Sequence, residues 1–229
     1  MALYAIGDLH LCLGEPKPMD IFGGNWIGYM DKLLEGMSVL QPEDTLVLLG
    51  DLSWALALET AFRDFEWIDR IPGRKIILKG NHDYWWSTVA KFNQFCQKHG
   101  FSNQFILNNN HYDYDDWAIC GTRGWFFEEE RSGVHDEKVF RRELIRLEAS
   151  LKSAGDKNKM VFLHYPPRYK GYECTEILEL LEKYQVRQCF YGHLHGASHK
   201  LAIQGIWNGV DYHLVSADFI NFQPMRIIP

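Results

Sequence analysis

The 229-residue sequence has no apolar run near the roughly 20 residues that a bilayer-crossing helix requires, which excludes such a helix. It also lacks an excess of basic residues. A formal charge of −6 gives no support for a broad nucleic-acid-binding face, although a local basic groove stays open. Its five cysteines, Cys12, Cys96, Cys120, Cys174 and Cys189, are odd in number and form no close pair. Free thiols in a reducing cytoplasm explain them best. The start, Met1 to Asp8, enters a strand directly, without the charged opening and long apolar stretch of a signal peptide. No repeat, low-complexity tract or linker divides the chain, so one domain over residues 1–229 is expected. A 46% hydrophobic and 24% charged composition is that of an ordinary globular protein, long enough for a substantial core.

One local form is present five times. An apolar run stops, a Gly often follows, and Asp, Asn or His appears: Asp8-Leu-His10, Gly50-Asp51, Gly80-Asn81-His82-Asp83, His164 and Gly192-His193-Leu-His195. In an α/β sheet the carboxyl ends of strands converge on one crevice, where loops assemble a site from distant residues. Two carboxylates, one carboxamide and four imidazoles, with His82 as a fifth, are donors that two divalent cations require. Oxygen and imidazole donors without thiolate suit Mn²⁺, Fe or Zn²⁺.

The apolar pattern predicts strands at Leu3–Ile6, Thr45–Leu49, Lys75–Leu78, Lys159–Leu163 and Val186–Tyr191. Helices are expected from Asn25, as cap, to about Met37, with Trp26, Tyr29, Met30, Leu33 and Leu34 on one face, and over Leu56–Asp69, Ser87–Lys98, Glu137–Ala154 and Thr175–Tyr184. Gln104–Leu107 and Trp117–Cys120 read as an antiparallel pair, and hairpin strands are expected near Lys200–Ile206, Asp211–Ser216 and Met225–Ile228. Gly14–Gly24 and the charged Phe126–Asp136 read as loops, either of which could act as a lid. Helix-separated strands followed by hairpins point to two packed mixed sheets with helices outside.

Taken in order, the five segments resemble the calcineurin-like metallophosphoesterase superfamily, over residues 8 to 195. The resemblance implies an α/β fold: a four-layer αββα sandwich of two mixed β-sheets flanked by helices, with a two-metal site at the carboxyl-end loops. It implies that one metal takes Asp8, His10 and His195, that Asp51 bridges both, and that the other takes Asn81, His164 and His193. The implied activity is hydrolysis of a phosphate mono- or diester by direct attack of a metal-bridging hydroxide, without a phosphoenzyme. Coordination brings the pKa of water from roughly 15.7 towards 7, which makes such a nucleophile available at neutral pH. His82, by the same resemblance, lies over the phosphate as general acid, a role that an unperturbed imidazole pKa of about 6.5 suits. The plainer reading of His82 is a loop histidine.

The resemblance also has a departure. Protein Ser/Thr phosphatases of the superfamily continue Gly-Asp as Gly-Asp-x-x-Asp-Arg-Gly, whereas this chain reads Gly50-Asp51-Leu52-Ser53-Trp54-Ala55-Leu56. Trp54 replaces the orienting Asp and Ala55 the phosphate-binding Arg, which argues for a phosphohydrolase branch outside that class. The lost cation is then either replaced from elsewhere or done without. Arg123, between glycines in Cys120-Gly-Thr-Arg-Gly-Trp125, is the candidate catalytic residue, since a guanidinium holds phosphate through two parallel bonds. A surface arginine in a hairpin loop is the alternative, and Arg168 and Lys170 are lesser candidates.

Trp54, Trp85, Trp86 and Trp125 could wall a pocket for a nucleobase or lipid-like group, or simply pack the loops. His99, His111, His135, His199 and His213 fit no ligand slot. Asp113, Asp115 and Asp116 lack the spacing of a calcium loop, and Glu128–Glu130 reads as a solvated charge run. The leading function is thus a cytoplasmic phosphoesterase using two divalent metal ions on a small phosphorylated substrate. The alternatives are a metallo-nuclease, disfavoured by the acidic balance, and a non-catalytic protein-interaction scaffold, disfavoured by the full set of ligands.

Overall fold

The computed structural model describes residues 1–125 and 134–228, with the side chains of 134–136 also outside the description. The chain forms two compact units, Met1–Ile106 with Val215–Pro229, and Leu107–Leu214.

In the first unit β1 (Leu3–Ile6), β2 (Thr45–Leu48), β3 (Arg74–Ile77) and β4 (Gln104–Ile106) lie side by side and parallel. Ile6 pairs with Leu48 and Leu48 with Ile77, so the first three strands end level. Every residue of β2 is buried, as expected of a parallel strand covered on both faces. The connecting helices are α1 (Tyr29–Met37), α2 (Phe62–Arg70) and α3 (Val89–His99).

The second unit holds β5 (Tyr112–Tyr114), β6 (Trp117–Thr122), β7 (Asn158–Leu163), the two-residue strands β8 (Arg168–Tyr169) and β9 (Tyr172–Glu173), β10 (Gln188–Tyr191), β11 (Gly205–Trp207) and β12 (Val210–Leu214). Its main sheet runs β11-β12-β10-β7-β6-β5, parallel at the centre with an antiparallel strand on each edge. Its helices are α4 (Val134–Ser153) and α5 (Thr175–Lys183). The chain then returns to the first unit as β13 (Met225–Ile228), antiparallel to β1. Two mixed sheets with helices are the expected α/β class. No helix among the described residues is long and apolar enough to cross a membrane.

Several local expectations are corrected. Gln104–Ile106 does not pair with Trp117–Cys120: β4 joins β3 in the first sheet, and the partner of β6 is β5, closed by the Asp115–Asp116 turn. Apolar strands carry no signal for which sheet they enter. The first helix starts at Tyr29, because Gly28 adopts a left-handed φ of 65° that breaks it from the short turn Gly24–Trp26. Asn25 is not its cap, since its amide donates to the Asp218 carbonyl, and Leu34 is 62% exposed rather than on the buried face. The second helix begins at Phe62, after a turn closed by Thr60 Oγ1 donating to the Ala57 carbonyl. Residues 196–201 form a 3-10 turn, so the strand expected from Lys200 begins only at Gly205. The helix expected from Glu137 begins at Val134; the rest of the predicted loop, 126–133 with Glu128–Glu130, lies outside the described residues, as does the His135 side chain.

Lys75 is fully buried in β3, its ammonium donating to the carbonyls of Ile71 (2.5 Å) and Gly73 (2.9 Å). Burial pushes it down to about 8, against an opposing pull from Asp69. Between pH 8 and the ordinary 10.5 the unfolded chain therefore binds more protons than the folded one, and this residue's contribution to stability rises with pH. Urea unfolding across that window is expected to show the rise, and a Lys75→Met variant to flatten it.

Candidate metal centre

The level strand ends of the first unit deliver Asp8 and His10 after β1, Asp51 after β2, and Asn81, His82 and Asp83 after β3. Pairing continues past the strands: the N–H groups of Asp8, His10 and Leu11 donate to the carbonyls of Gly50 (2.9 Å), Asp51 (2.9 Å) and Leu52 (2.8 Å). Asp8, His10 and Asp51 all hold left-handed backbone, at φ 61°, 46° and 51°. That conformation is costly for residues with a side chain and concentrates at functional sites. The three side chains are buried. Ligand atoms of Asp8 and His10 lie within 4.8 Å of each other, and His10 Nε2 is 3.9 Å from Asp51 Oδ2.

Glycine is required where the two loops touch. A Cβ on Gly80 would fall 2.1 Å from Asp51 Oδ1 and 2.2 Å from Asp51 N, and one on Gly50 would meet Gly80 N at 2.4 Å. Beneath this contact, fully buried Asp83 accepts from the N–H groups of Gly80 (2.7 Å), Asp51 (2.8 Å) and Leu52 (2.9 Å) and from Trp85 Nε1 (2.8 Å). Asp64 of α2 does the same for the loop after β1, accepting from Leu13 N (2.8 Å) and from Ser53 Oγ (2.5 Å). The Tyr29 hydroxyl donates to the His10 carbonyl at 2.9 Å. The Asp51 carboxylate accepts the His82 N–H at 2.7 Å, which places the His82 ring 5.9 Å from that of His10. Burial first, and the Asp51 carboxylate second, push the Asp83 carboxyl up to about 6. Carboxylates crowded in a dry site raise one another's energy, and a divalent cation relieves this.

In the second unit β7 leads to His164, β10 to His193 and His195, and β6 to Arg123. Ring nitrogens of His164 and His193 lie within 4.8 Å, their rings 5.2 Å apart, and Tyr165 stands edge-on to His193 at 4.5 Å. His193 also has a left-handed φ, 71°. The Arg123 carbonyl accepts the N–H groups of His164 (3.1 Å) and Tyr165 (2.9 Å), so its backbone orients the β7 loop. Its guanidinium lies 3.6 Å from buried Glu143, which also takes Thr122 Oγ1 (2.5 Å) and Arg146 (2.6 Å). The side chain is 15% exposed. Each unit thus presents hard oxygen or imidazole donors without thiolate, a chemistry that fits divalent cations.

Other candidates take structural roles. Arg168 pairs with Glu173 across the β8–β9 hairpin at 2.8 Å, and Lys170 is in its turn at φ 56°. His99 packs among Phe62, Phe95 and Phe101, His111 meets Ser153 and Asp113, and His213 pairs with Asp211. A ring nitrogen of His199, given no ligand slot above, lies within 4.8 Å of one of His195. Trp85 packs on Phe65 at 4.7 Å, whereas Trp54 stacks on His10 at 4.7 Å and 23° and meets His82 at 4.8 Å. Sequence reading missed Lys17, whose Nζ is 3.4 Å from the Trp54 ring centroid. A cation so close and a parallel imidazole cannot share one face, so the indole lies between Lys17 and His10. An isolated lysine in a loop gave no signal of this.

A family model described as calcineurin-like phosphoesterase matches residues 1–197. The chain belongs to that family, whose members work with divalent metal ions. No curated protein matches it. Among solved structures it is similar to a protein of unknown function from Aquifex aeolicus (17% identity, TM-score 0.52, covering 98% of this chain and 95% of that one). It is also similar to a phosphopantetheinyl hydrolase from Mycobacterium tuberculosis (13%, 0.59, 100% and 96%) and to a Thermus thermophilus protein (12%, 0.58, 99% and 97%). At these identities the likeness is one of fold.

Gly80→Ala is expected to lower stability by about 1–3 kcal/mol through overpacking and, by displacing Asp51, to weaken Mn²⁺ binding. Urea unfolding and elemental analysis of the dialysed protein read the two effects.

Proposed function

We propose that residues 1–229 act as one catalytic domain that hydrolyses a phosphate mono- or diester of a small molecule, with Asp8, His10 and His195 holding one metal, Asn81, His164 and His193 the other, and Asp51 bridging them. The observation that carries this reading is the strand-end arrangement of the first unit, where buried Asp8, His10 and Asp51 share left-handed backbone and Asp51 grips the His82 N–H. Two divalent cations bound there would supply an activated water and neutralise the phosphate oxygens. His82, held by its own N–H, presents its ring to the departing oxygen and gives it a proton. Trp54 covers one side of both His10 and His82 and keeps bulk water from that side.

For the cation that Ala55 does not provide, Arg123 is the choice. Its guanidinium has five N–H donors, and the Glu143 contact orients it while leaving others for an anion. Its Nε is buried without a hydrogen-bond partner among the described residues. The five free cysteines fit a reducing cytoplasm.

With Mn²⁺ supplied, turnover of p-nitrophenyl phosphate or bis-p-nitrophenyl phosphate is expected, and their ratio separates monoesterase from diesterase. His82→Ala should retain metal and lose about a hundredfold or more in kcat; unchanged turnover would remove His82 from the chemistry. Asp51→Asn should reduce metal occupancy, and full occupancy would count against the bridging assignment. Arg123→Ala should raise KM more than it lowers kcat, whereas identical kinetics would return Arg123 to a purely structural role.

A further inference from the structure

Beside the loop that carries His82, the first unit has a groove of about 510 Å³ that the site described above does not use. This volume lies within the range of small-molecule sites. The groove starts next to the candidate acid: Tyr84 N donates to the His82 carbonyl at 2.8 Å, and the two rings stand edge to face at 6.2 Å. Its lining comprises Tyr84 and Trp86 of this loop, residues of α3, and the segment 56–59. Tyr84 is 59% exposed and Trp86 half-buried, so both offer ring surface to a ligand. Trp85, between them, is turned into the core by its bond to Asp83.

The α3 wall is basic. Lys91 and Lys98 are one heptad apart, on the same side of the helix, and both line the groove together with Gln94. Neither ammonium forms an ion pair among the described residues, and both side chains are exposed. Glu59 is the one carboxylate among the lining residues. Two flat rings, two unspent cations and a single carboxylate make a mixed surface. It matches a ligand that has an aromatic plane, a negative charge and a hydroxyl that a carboxylate can accept from, and the lone carboxylate disfavours a bare polyanion.

We propose that this groove is the leaving-group subsite and that the natural substrate is a phosphoester whose departing half is a nucleotide. This rests on the phosphoesterase reading, because the groove adjoins the residue assigned to protonate the leaving oxygen. In hydrolysis the oxygen of water joins phosphorus, the bond from phosphorus to the nucleotide oxygen breaks, and that oxygen takes the proton from His82, which one of the two protons of water replaces. The nucleobase stacks on Tyr84 and Trp86, the nucleotide's own phosphate lies towards Lys91 and Lys98, and Glu59 accepts from the ribose.

Calorimetric titration of the Mn²⁺-loaded full chain with AMP tests this apart from turnover. AMP should bind at least tenfold more tightly than ribose 5-phosphate, which lacks the ring. Its affinity should fall at least tenfold in the Lys91→Glu/Lys98→Glu double variant and in Trp86→Ala, while Lys138→Glu/Arg142→Glu, an equal change of charge outside the groove, leaves it as it was. Unchanged melting temperatures establish that the variants fold. No binding of AMP, equal binding of ribose 5-phosphate, or equal binding by the double variant each overturns the proposal, the last by showing that AMP is held elsewhere. Turnover of p-nitrophenyl phosphate by the wild-type chain reads the underlying phosphoesterase assignment separately. Its absence alongside lysine-dependent AMP binding would sink that assignment and with it the leaving-group role, leaving a nucleotide-binding groove.

Discussion

The strand-end loops of the first unit depend on a carboxylate fully buried beneath them. Asp83 lies under the loops after β2 and β3 and gathers N–H groups from both of them, together with the Trp85 indole. Residues in left-handed backbone do not hold that form on their own, because each carries a local cost that the surroundings must offset. Here charge-assisted hydrogen bonds from below supply the offset. They also explain why the contact between Gly50 and Gly80 tolerates no side chain: the loops are drawn together until backbone meets backbone. Asp64 repeats the device one loop away, joining the segment after β1 to Ser53. Two buried carboxylates thus brace the backbone that presents Asp8 and Asp51.

The strands that carry the site were legible in the sequence, for a physical reason. A strand covered on both faces must be a short apolar run, and a polar metal donor at its end stands out against it. Leu3–Ile6, Thr45–Leu48 and Asn158–Leu163 are of this kind. What the runs do not record is neighbourhood. Gln104–Ile106 and Trp117–Thr122 have suitable strand composition, yet they sit in different sheets, because pairing is decided by burial and register rather than by local pattern. Helix starts were misplaced where a turn preceded them, as at Gly28 and at Thr60. The bracing residues were invisible for another reason. Asp64 and Glu143 sit inside helices, where an acidic residue reads as surface, and only folding shows that each is buried against hydrogen-bond donors.

The departure from the protein-phosphatase motif acquires a physical meaning in Trp54. An indole in place of a carboxylate cannot orient a base or hold a metal-bound water, but it can lie flat on an imidazole and carry a cation on its outer face. His10 on one side and Lys17 on the other make such a stack. The ring separates a positive charge from the His10 imidazole, and an imidazole can bind a metal ion only in its neutral form.

The division of the first unit between the two ends of the chain has a consequence for its synthesis. β1 is translated before the second unit, but its neighbour β13 only after the whole of it. At about 5–20 residues per second the free edge of β1 waits roughly 10–45 s for its partner. An uncovered edge is a template on which another polypeptide can add a strand. The nascent chain, more than the finished one, is therefore where aggregation threatens, and the residues made after the second unit are the ones that end the exposure.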